Sequence, residues 1–341
     1  MDWMKLDRYP DGHQQWSVLS GDNVFTDANR AEVRKLCLNW FPLSQKLFSS
    51  PGTTKYVPAI CLPELADLVH RVFVSKFRVY IWLFSMGLLL VVAISIFLKD
   101  FSVFMHPLGV MSIGLSYCLF EYRLFVKPYA RIRDHTLFYR WLKQKASEKK
   151  SQYFLISMFI FLPFFSQEIF YLQGYVLEDI VESYGLVYAL ANSGEWWRYL
   201  TGPFFHHNLL HWVGNFSLLL LAVVLVSPFS SVKIVPFFLV ATIAGAVPAQ
   251  FSLWQDPIDG FVGISGGVFG LFGWAIGNAY RQQAHLPEYY SLHLALFALV
   301  YLLLPLMTDV VISHSGHVVG VVLGLSFGYL GIAEETSSRL S

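Results

Sequence analysis

Long apolar segments follow one another along this chain, and each is long enough to cross a lipid bilayer as a helix. A membrane helix needs about 20 mainly apolar residues. Eight segments meet this length: 79–98, 101–120, 154–172, 209–227, 234–253, 263–280, 289–306 and 316–334. Charged residues make up 14% of the sequence, well below the roughly 25% of soluble domains. The sequence therefore predicts an all-α integral membrane protein that crosses the bilayer several times.

The distribution of Lys and Arg between the loops predicts the orientation of these segments. The segment 121–152 contains nine Lys and Arg residues, whereas 173–206 has four acidic residues and the single cation Arg198. Short basic loops stay in the cytoplasm. We therefore expect 121–152 and both termini inside, and the loops 173–206, 254–262 and 307–315 outside.

The chain divides into four regions on this interpretation. Residues 1–75 are expected to form a cytoplasmic N-terminal region, and 76–149 a pair of transmembrane helices followed by a basic cytoplasmic linker. Residues 150–335 are expected to form a core of six helices, and 336–341 a polar tail. The formal net charge of +1 gives no indication of nucleic-acid binding. The three cysteines lack metal-ligand spacing and are odd in number, so they indicate neither a metal site nor a disulfide framework.

Two of the core segments begin with a side chain that is capable of chemistry. Ser265 lies between Gly263 and Gly266, and His317 follows Gly316 at the start of the last segment. Both segments enter the membrane from the outer side, so the two side chains are expected at similar depth. A serine needs a base to act as a nucleophile, and histidine is the usual one. A membrane serine alone more often bonds to its own helix, and a lone histidine is more often structural, but together they favour a catalytic pair.

Glycines recur along both of these segments. They are Gly316, Gly320, Gly324 and Gly328 in the last segment, and Gly266, Gly270, Gly273 and Gly277 in the earlier one. Small residues at this spacing let membrane helices approach closely. We therefore predict that the two glycine faces pack together and bring Ser265 within hydrogen-bond reach of His317. The carboxylate that could complete a triad is Asp309, eight residues before His317, and we expect a dyad without it.

A third cluster of polar residues lies at the start of the segment 209–227. His207, His211 and Asn215 are spaced four residues apart, which would place them on one face of a helix. His211 and Asn215 could then donate hydrogen bonds to a developing oxyanion. Two histidines at this spacing can also bind zinc, but the zincin pattern has a glutamate after the first one, where Asn208 stands here. The sequence favours an oxyanion site over a metal site.

These motifs resemble those of rhomboid proteases over about residues 150–335. That family has a Gly-x-Ser-Gly nucleophile motif, a catalytic histidine followed by glycines at +3 and +7, and a His-x4-His-x3-Asn motif. The matching residues are Gly263, Ser265, Gly266, His317, Gly320, Gly324, His206, His211 and Asn215, with Trp197 and Arg198 in a loop motif and Phe269 placed to stack on the histidine. Gly316 replaces the usual alanine, and Phe269 replaces the commoner tyrosine.

The resemblance implies a six-helix rhomboid bundle, here preceded by about two extra transmembrane helices, and an intramembrane serine endopeptidase. Ser265 would be the nucleophile and His317 its base, while the Ser265 N–H, His211 and Asn215 would hold the oxyanion. The implied substrates are single-span membrane proteins within the lipid bilayer, and no cofactor, metal or nucleic acid is implied. We expect a location in the bacterial inner (cell) membrane, with the active site opening to the outer face.

Two other classes of protein share some of these features. One is a catalytically silent rhomboid-like protein that binds membrane clients, although such relatives typically lose the serine or the histidine. The other is a transporter or channel, which would have broken helices or charged residues in mid-span. The core segments contain few such charges, so the protease interpretation is preferred.

Overall fold

The computed structural model describes residues 16–20, 23–29, 31–33, 35, 47–49, 56–98, 105–126, 129–148, 150–226, 234–248, 259–303 and 313–331. The described residues up to Trp141 belong to one compact unit, and the later described residues belong to a second. Helices dominate both units. The protein is an all-α membrane protein as predicted, with a small sheet near the N-terminus that the sequence did not reveal.

The first unit begins with this sheet. Strands β1 (Trp16–Ser20), β2 (Asn23–Ala28) and β3 (Leu47–Ser49) are antiparallel, and β1 lies in the centre. Helix α1 (Pro63–Leu98) follows. It begins 16 residues before the predicted segment at 79, because its first turns pack on the sheet. Leu65 and Val69 of α1 share a buried cluster with Val18 and Phe48 of the strands.

The second half of α1 matches the predicted apolar segment. Its Trp82, Leu89 and Phe97 are exposed, as expected for side chains that contact lipid. Helix α2 (Met105–Phe125) packs against α1. The predicted basic linker is itself mainly a helix, α3 (Tyr129–Ser147), in which Ile132 and Phe138 are buried. These apolar residues explain why the linker is ordered.

The second unit contains six long helices. They are α4 (Lys150–Leu172), α8 (Leu209–Val226), α9 (Ile234–Ala246), α10 (Ser265–Arg281), α11 (Tyr290–Leu303) and α12 (His314–Tyr329). Each coincides with one predicted core segment, although α9 ends at Ala246 and not at 253. Helix α10 is buried along most of its length and packs against α8, α9, α11 and α12.

Among the residues that the structure describes, three helical stretches are long and apolar enough to cross a membrane by length and composition. They are Leu65–Leu98, Tyr153–Leu172 and Leu209–Val226, and the helical stretches Ile234–Ala246 and Tyr290–Leu302 are apolar but shorter. Glycine lowers the mean hydropathy of α10 and α12, which have 17 and 16 residues. Helix α10 is buried along most of its length, and α12 is buried along its glycine face.

The predicted outer loops meet at one end of the second unit. The loop 173–206 contains the short helices α5 (Leu177–Tyr184), α6 (Tyr188–Asn192) and α7 (Arg198–Thr201). Its strand β4 (Leu186–Val187) pairs antiparallel with β5 (Gly260–Phe261) of the loop before α10. The two loops therefore lie on the same side, as the alternation of segments requires.

A buried tyrosine ties the first of these loops to the helices. Tyr188 donates a hydrogen bond from its hydroxyl to the carbonyl oxygen of Ala246, at 2.6 Å. Burial, with a smaller effect of Tyr199, raises the pKa of the Tyr188 hydroxyl above its ordinary value, so it stays protonated and keeps donating. This bond holds the loop against the end of α9, next to the start of α10.

Candidate active site

The start of α10 and the start of α12 bring the predicted pair together. Oγ of Ser265 lies 2.7 Å from Nε2 of His317, within hydrogen-bond distance. Ser265 is the first residue of α10, and His317 is buried in the first turn of α12. The Ser265 hydroxyl therefore contacts a residue of another helix. The alternative, in which the serine bonds only to its own helix, predicted no such contact.

Glycines allow this approach, as predicted. A Cβ added at Gly320 would collide with the carbonyl oxygen of Gly266, and one at Gly324 would collide with that of Gly270. The reverse also holds, because a Cβ at Gly273 would collide with the carbonyl oxygen of Val321. The backbones of α10 and α12 are therefore in direct contact, which leaves no room for a side chain between them.

An aromatic ring takes the place of a carboxylate beside the histidine. The ring of Phe269 stacks on the imidazole of His317, with centroids 4.4 Å apart and an angle of 29° between the planes. Nδ1 of His317 is buried and has no hydrogen-bond partner among the described residues. Asp309 lies outside the described residues. The stacking limits rotation of the imidazole and keeps Nε2 directed at Ser265.

The predicted oxyanion residues lie beside the loop that leads into Ser265. A Cβ added at Gly263 would come within 2.8 Å of Cε1 of His211 and 3.8 Å of Nδ2 of Asn215. Gly263 has a φ of 110°, a conformation that glycine adopts readily. Nδ2 of Asn215 is buried without a partner in the described part of the chain. A donor of this kind is available to a ligand next to Ser265.

One detail of the predicted histidine face is wrong. His207 precedes α8 and is exposed, and its Nδ1 contacts Nδ2 of Asn208. The side chain of Asn208 accepts a hydrogen bond from the backbone N–H of His211, so it caps the helix. Asn208 therefore starts α8 after His207, and His206 is the histidine that packs inwards.

Arg198 holds the outer loop in place. Its side chain is 5% exposed and donates to Oε2 of Glu195 at 2.8 Å and to the carbonyl oxygen of Gly185 at 2.8 Å. Its guanidinium also lies over the ring of Trp197, 4.7 Å from the centroid. These contacts fix α5 and α7 to each other, and none of them reaches Ser265 or His317.

Comparison with known proteins agrees with this geometry. The family model described as "Rhomboid domain" matches residues 193–334. The matched region, residues 193–334, is thus similar to the rhomboid domain of other proteins. "Rhomboid-related protein 1" from Caenorhabditis elegans is 29% identical over 164 residues, which cover 45% of this chain and 45% of that protein. The chain thus aligns with less than half the length of this relative.

The rhomboid domain uses a glycine on a third helix that the sequence interpretation missed. A Cβ added at Gly245 of α9 would lie 3.0 Å from Cα of Gly266 and 3.1 Å from the carbonyl oxygen of Gly316. Gly266 and Gly316 are the neighbours of Ser265 and His317 in sequence. Gly245 therefore lets α9 touch both helices at the level of the pair. An isolated glycine in an apolar segment is a weak signal by itself.

His206, inside the matched region, is bonded to Gln167, which lies outside that region. His206 is fully buried, and its ring packs edge-to-face on that of His211, with centroids 5.2 Å apart. Burial, with help from His211, lowers the pKa of His206 to about 3, so the ring is neutral. The backbone of His206 is bonded to Gln167 of α4. The sequence signal for Gln167 is a lone amide side chain within an apolar segment, and the sequence interpretation missed it.

The described part of the rhomboid domain has no metal-binding cluster. Among the described residues, no group of three or more His, Cys, Asp and Glu side chains could hold a metal ion. His206 and His211 do approach each other, but the other neighbours of His206 are the carbonyl oxygen of Phe204 and the amide of Gln167. The donor set fits hydrogen bonding within the protein.

Proposed function

We propose that this chain is an intramembrane serine endopeptidase. The observation that carries the proposal is the distance of 2.7 Å between Ser265 Oγ and His317 Nε2, where the starts of α10 and α12 meet. A buried histidine is expensive to keep within a membrane bundle and commonly marks function, and here its ring contacts a serine hydroxyl. The similarity of residues 193–334 to the rhomboid domain, a family that includes serine proteases, supports the same chemistry.

The proposed reaction has two stages. Ser265 attacks the carbonyl carbon of a peptide bond, and His317 Nε2 takes the hydroxyl proton and then gives it to the leaving amine. A water molecule attacks the resulting ester, with His317 again acting as the base, and releases the carboxylic acid and free Ser265. Phe269 keeps the imidazole aligned during both proton transfers.

Three donors are proposed to stabilise the oxyanion. The N–H of Ser265 is in the first turn of α10, where backbone N–H groups have no intrahelical acceptor. Asn215 has a free buried Nδ2, and His211 lies next to it beside Gly263. The positive end of the helix dipole of α10 points to the same place. Together they form a preorganised site for the negative charge of the tetrahedral intermediate.

The proposed substrates are single-span membrane proteins. A peptide in a helix hides its carbonyl groups in hydrogen bonds, so the substrate segment has to unwind before Ser265 can attack it. Segments whose outer end unwinds easily are therefore the best candidates. We further propose that the chain lies in a bacterial inner membrane and that its active site opens to the outer face, where the loops 173–206 and 254–262 meet.

A fluorophosphonate probe and a fluorogenic transmembrane substrate test this proposal in proteoliposomes. Wild-type protein should be labelled and should cleave the substrate, whereas Ser265→Ala and His317→Ala should abolish both reactions without loss of folding. Ser326→Ala is the matched control, because the Ser326 hydroxyl bonds to the carbonyl of Val322 in its own helix and should have no effect. Client binding without labelling or cleavage would show the silent rhomboid-like protein instead.

A further inference from the structure

Gln167 is a polar residue at a costly position. It lies in α4, inside the apolar stretch Tyr153–Leu172, and its exposed fraction is 0%. The adjacent Ser166 is exposed and bonds to the carbonyl of Leu162 in its own helix, which is the ordinary behaviour of a polar group in a membrane helix. A buried amide needs partners for its donors and its acceptor. The backbone partners of Gln167 lie outside α4, in His206.

The amide of Gln167 pairs with the backbone of one residue in both directions. Its Oε1 accepts from the N–H of His206 at 3.0 Å, and its Nε2 donates to the carbonyl oxygen of His206 at 2.6 Å. Nε2 also donates to the hydroxyl of Tyr171 at 2.9 Å. Both backbone groups of His206 are thus satisfied by one side chain, as in a rung of a β-ladder, which fixes the backbone at this point.

The fixed residue leads directly to the oxyanion side of the site. The ring of His206 is oriented by a contact of 3.1 Å between its Nδ1 and the carbonyl oxygen of Phe204. Its edge packs on the ring of His211, and His211 in turn lies against Gly263, two residues before Ser265. A displacement of the His206 backbone would therefore move the surface against which His211 packs.

We infer that Gln167 is a positioning residue for the oxyanion site, acting through His206 on His211. This inference rests on the proposed function, because it assigns Gln167 a part in the same reaction. Gln167 touches neither the pair nor the substrate, so its effect is on the placement of a donor. Misplacing a donor should lower kcat and change KM little, since the oxyanion forms only after the substrate is bound.

Two substitutions separate this role from a purely structural one. Gln167→Leu removes both bonds to His206 while keeping a side chain of similar length. Gln167→Glu keeps them when its carboxyl is protonated, because that form can accept from the N–H and donate to the carbonyl of His206. The ionised carboxylate cannot donate and faces the carbonyl oxygen. The effect of this variant should therefore depend on pH, whereas that of the leucine variant should not. Ser166→Ala is the matched control.

The measurements are kcat and KM for the fluorogenic substrate in proteoliposomes from about pH 5 to about pH 9, with thermal unfolding of each variant. Gln167→Leu should lower kcat on the order of tenfold and leave KM within about twofold, a smaller loss than removal of an oxyanion donor. Gln167→Glu should approach wild-type kcat at low pH and fall to the level of the leucine variant as the pH rises. Ser166→Ala should match the wild type throughout.

The inference fails if folded Gln167→Leu has wild-type kcat. Should that variant not fold, Gln167→Glu decides the matter, because a ratio of its kcat to the wild-type kcat that does not change with pH overturns the inference. These results differ from failure of the proposed function. In that case the wild-type protein itself would neither cleave the substrate nor react with the fluorophosphonate.

Discussion

The contact between α10 and α12 makes Gly320→Ala the sharpest test of how the pair is assembled. The added Cβ would overlap the carbonyl oxygen of Gly266, and it would lie 3.1 Å from the carbonyl carbon of that residue and 3.2 Å from the nitrogen of Gly270. All three atoms belong to the backbone, so no flexible side chain can turn away. The helices have to separate to make room for a single methyl group.

The size of the separation sets the expected effect. Relief of the overlap needs a movement of about 1 Å, to bring the atoms to ordinary contact distance. Such overpacking typically destabilises a protein by about 1–3 kcal/mol. Gly320 is three residues from His317, so the same movement would stretch the bond of 2.7 Å to Ser265 beyond hydrogen-bond range. A misplacement of about 1 Å can lower the rate about 10²-fold.

The assay compares kcat and thermal stability of Gly320→Ala with those of Gly214→Ala in proteoliposomes. Gly214 is a glycine of α8, and no described atom lies within 4 Å of a Cβ added there. We expect Gly320→Ala to lose about 10²-fold in kcat and to unfold at lower temperature, while Gly214→Ala keeps both values. Wild-type kcat and stability in Gly320→Ala would refute the close contact of the two helices.

Three further predictions concern the rest of the chain. Arg198→Ala should lower the free energy of unfolding by about 1–3 kcal/mol, because it leaves the carbonyl of Gly185 without its donor. Thermal unfolding measures this loss. Complete loss of activity in folded protein would instead give Arg198 a direct catalytic part. Reporter fusions at 145 and 190 should give opposite signals, since we expect the basic loop in the cytoplasm and the acidic loop outside, and equal signals would contradict this orientation. A chain that starts near residue 150 should keep some proteolysis if it folds, because the site lies in the second unit; an inactive but correctly inserted chain would show that the first unit is needed.

The helices were predictable because their signals are local. Apolar length and the recurrence of glycine can be counted along the sequence, and each predicted segment coincides with a helix. The first residue of α1 could not be predicted from apolar length. Its first turns are stabilised by packing on a sheet whose strands lie between residues 16 and 49. Apolar length gives no information about a packing partner that is distant in sequence.

The contact between Ser265 and His317 was predictable for a related reason. Ser265 and His317 each stand at the start of a glycine-rich segment, and those glycines indicate which faces meet. The neighbours of the pair were harder to predict. The four-residue spacing pointed to His207 and the family motif pointed to His206, and only the position of the Asn208 cap decides which of them turns inwards.

The sequence by itself thus determined the membrane class, the helices and the two residues proposed to react, because composition, length and spacing are properties of single segments. Tertiary structure alone decided that Gly245 of a third helix completes the glycine contact and that Gln167 of a fourth bonds the backbone of His206. Both depend on contacts between segments far apart in the chain. Close packing and the need to satisfy buried polar groups select such contacts only when the whole bundle is assembled.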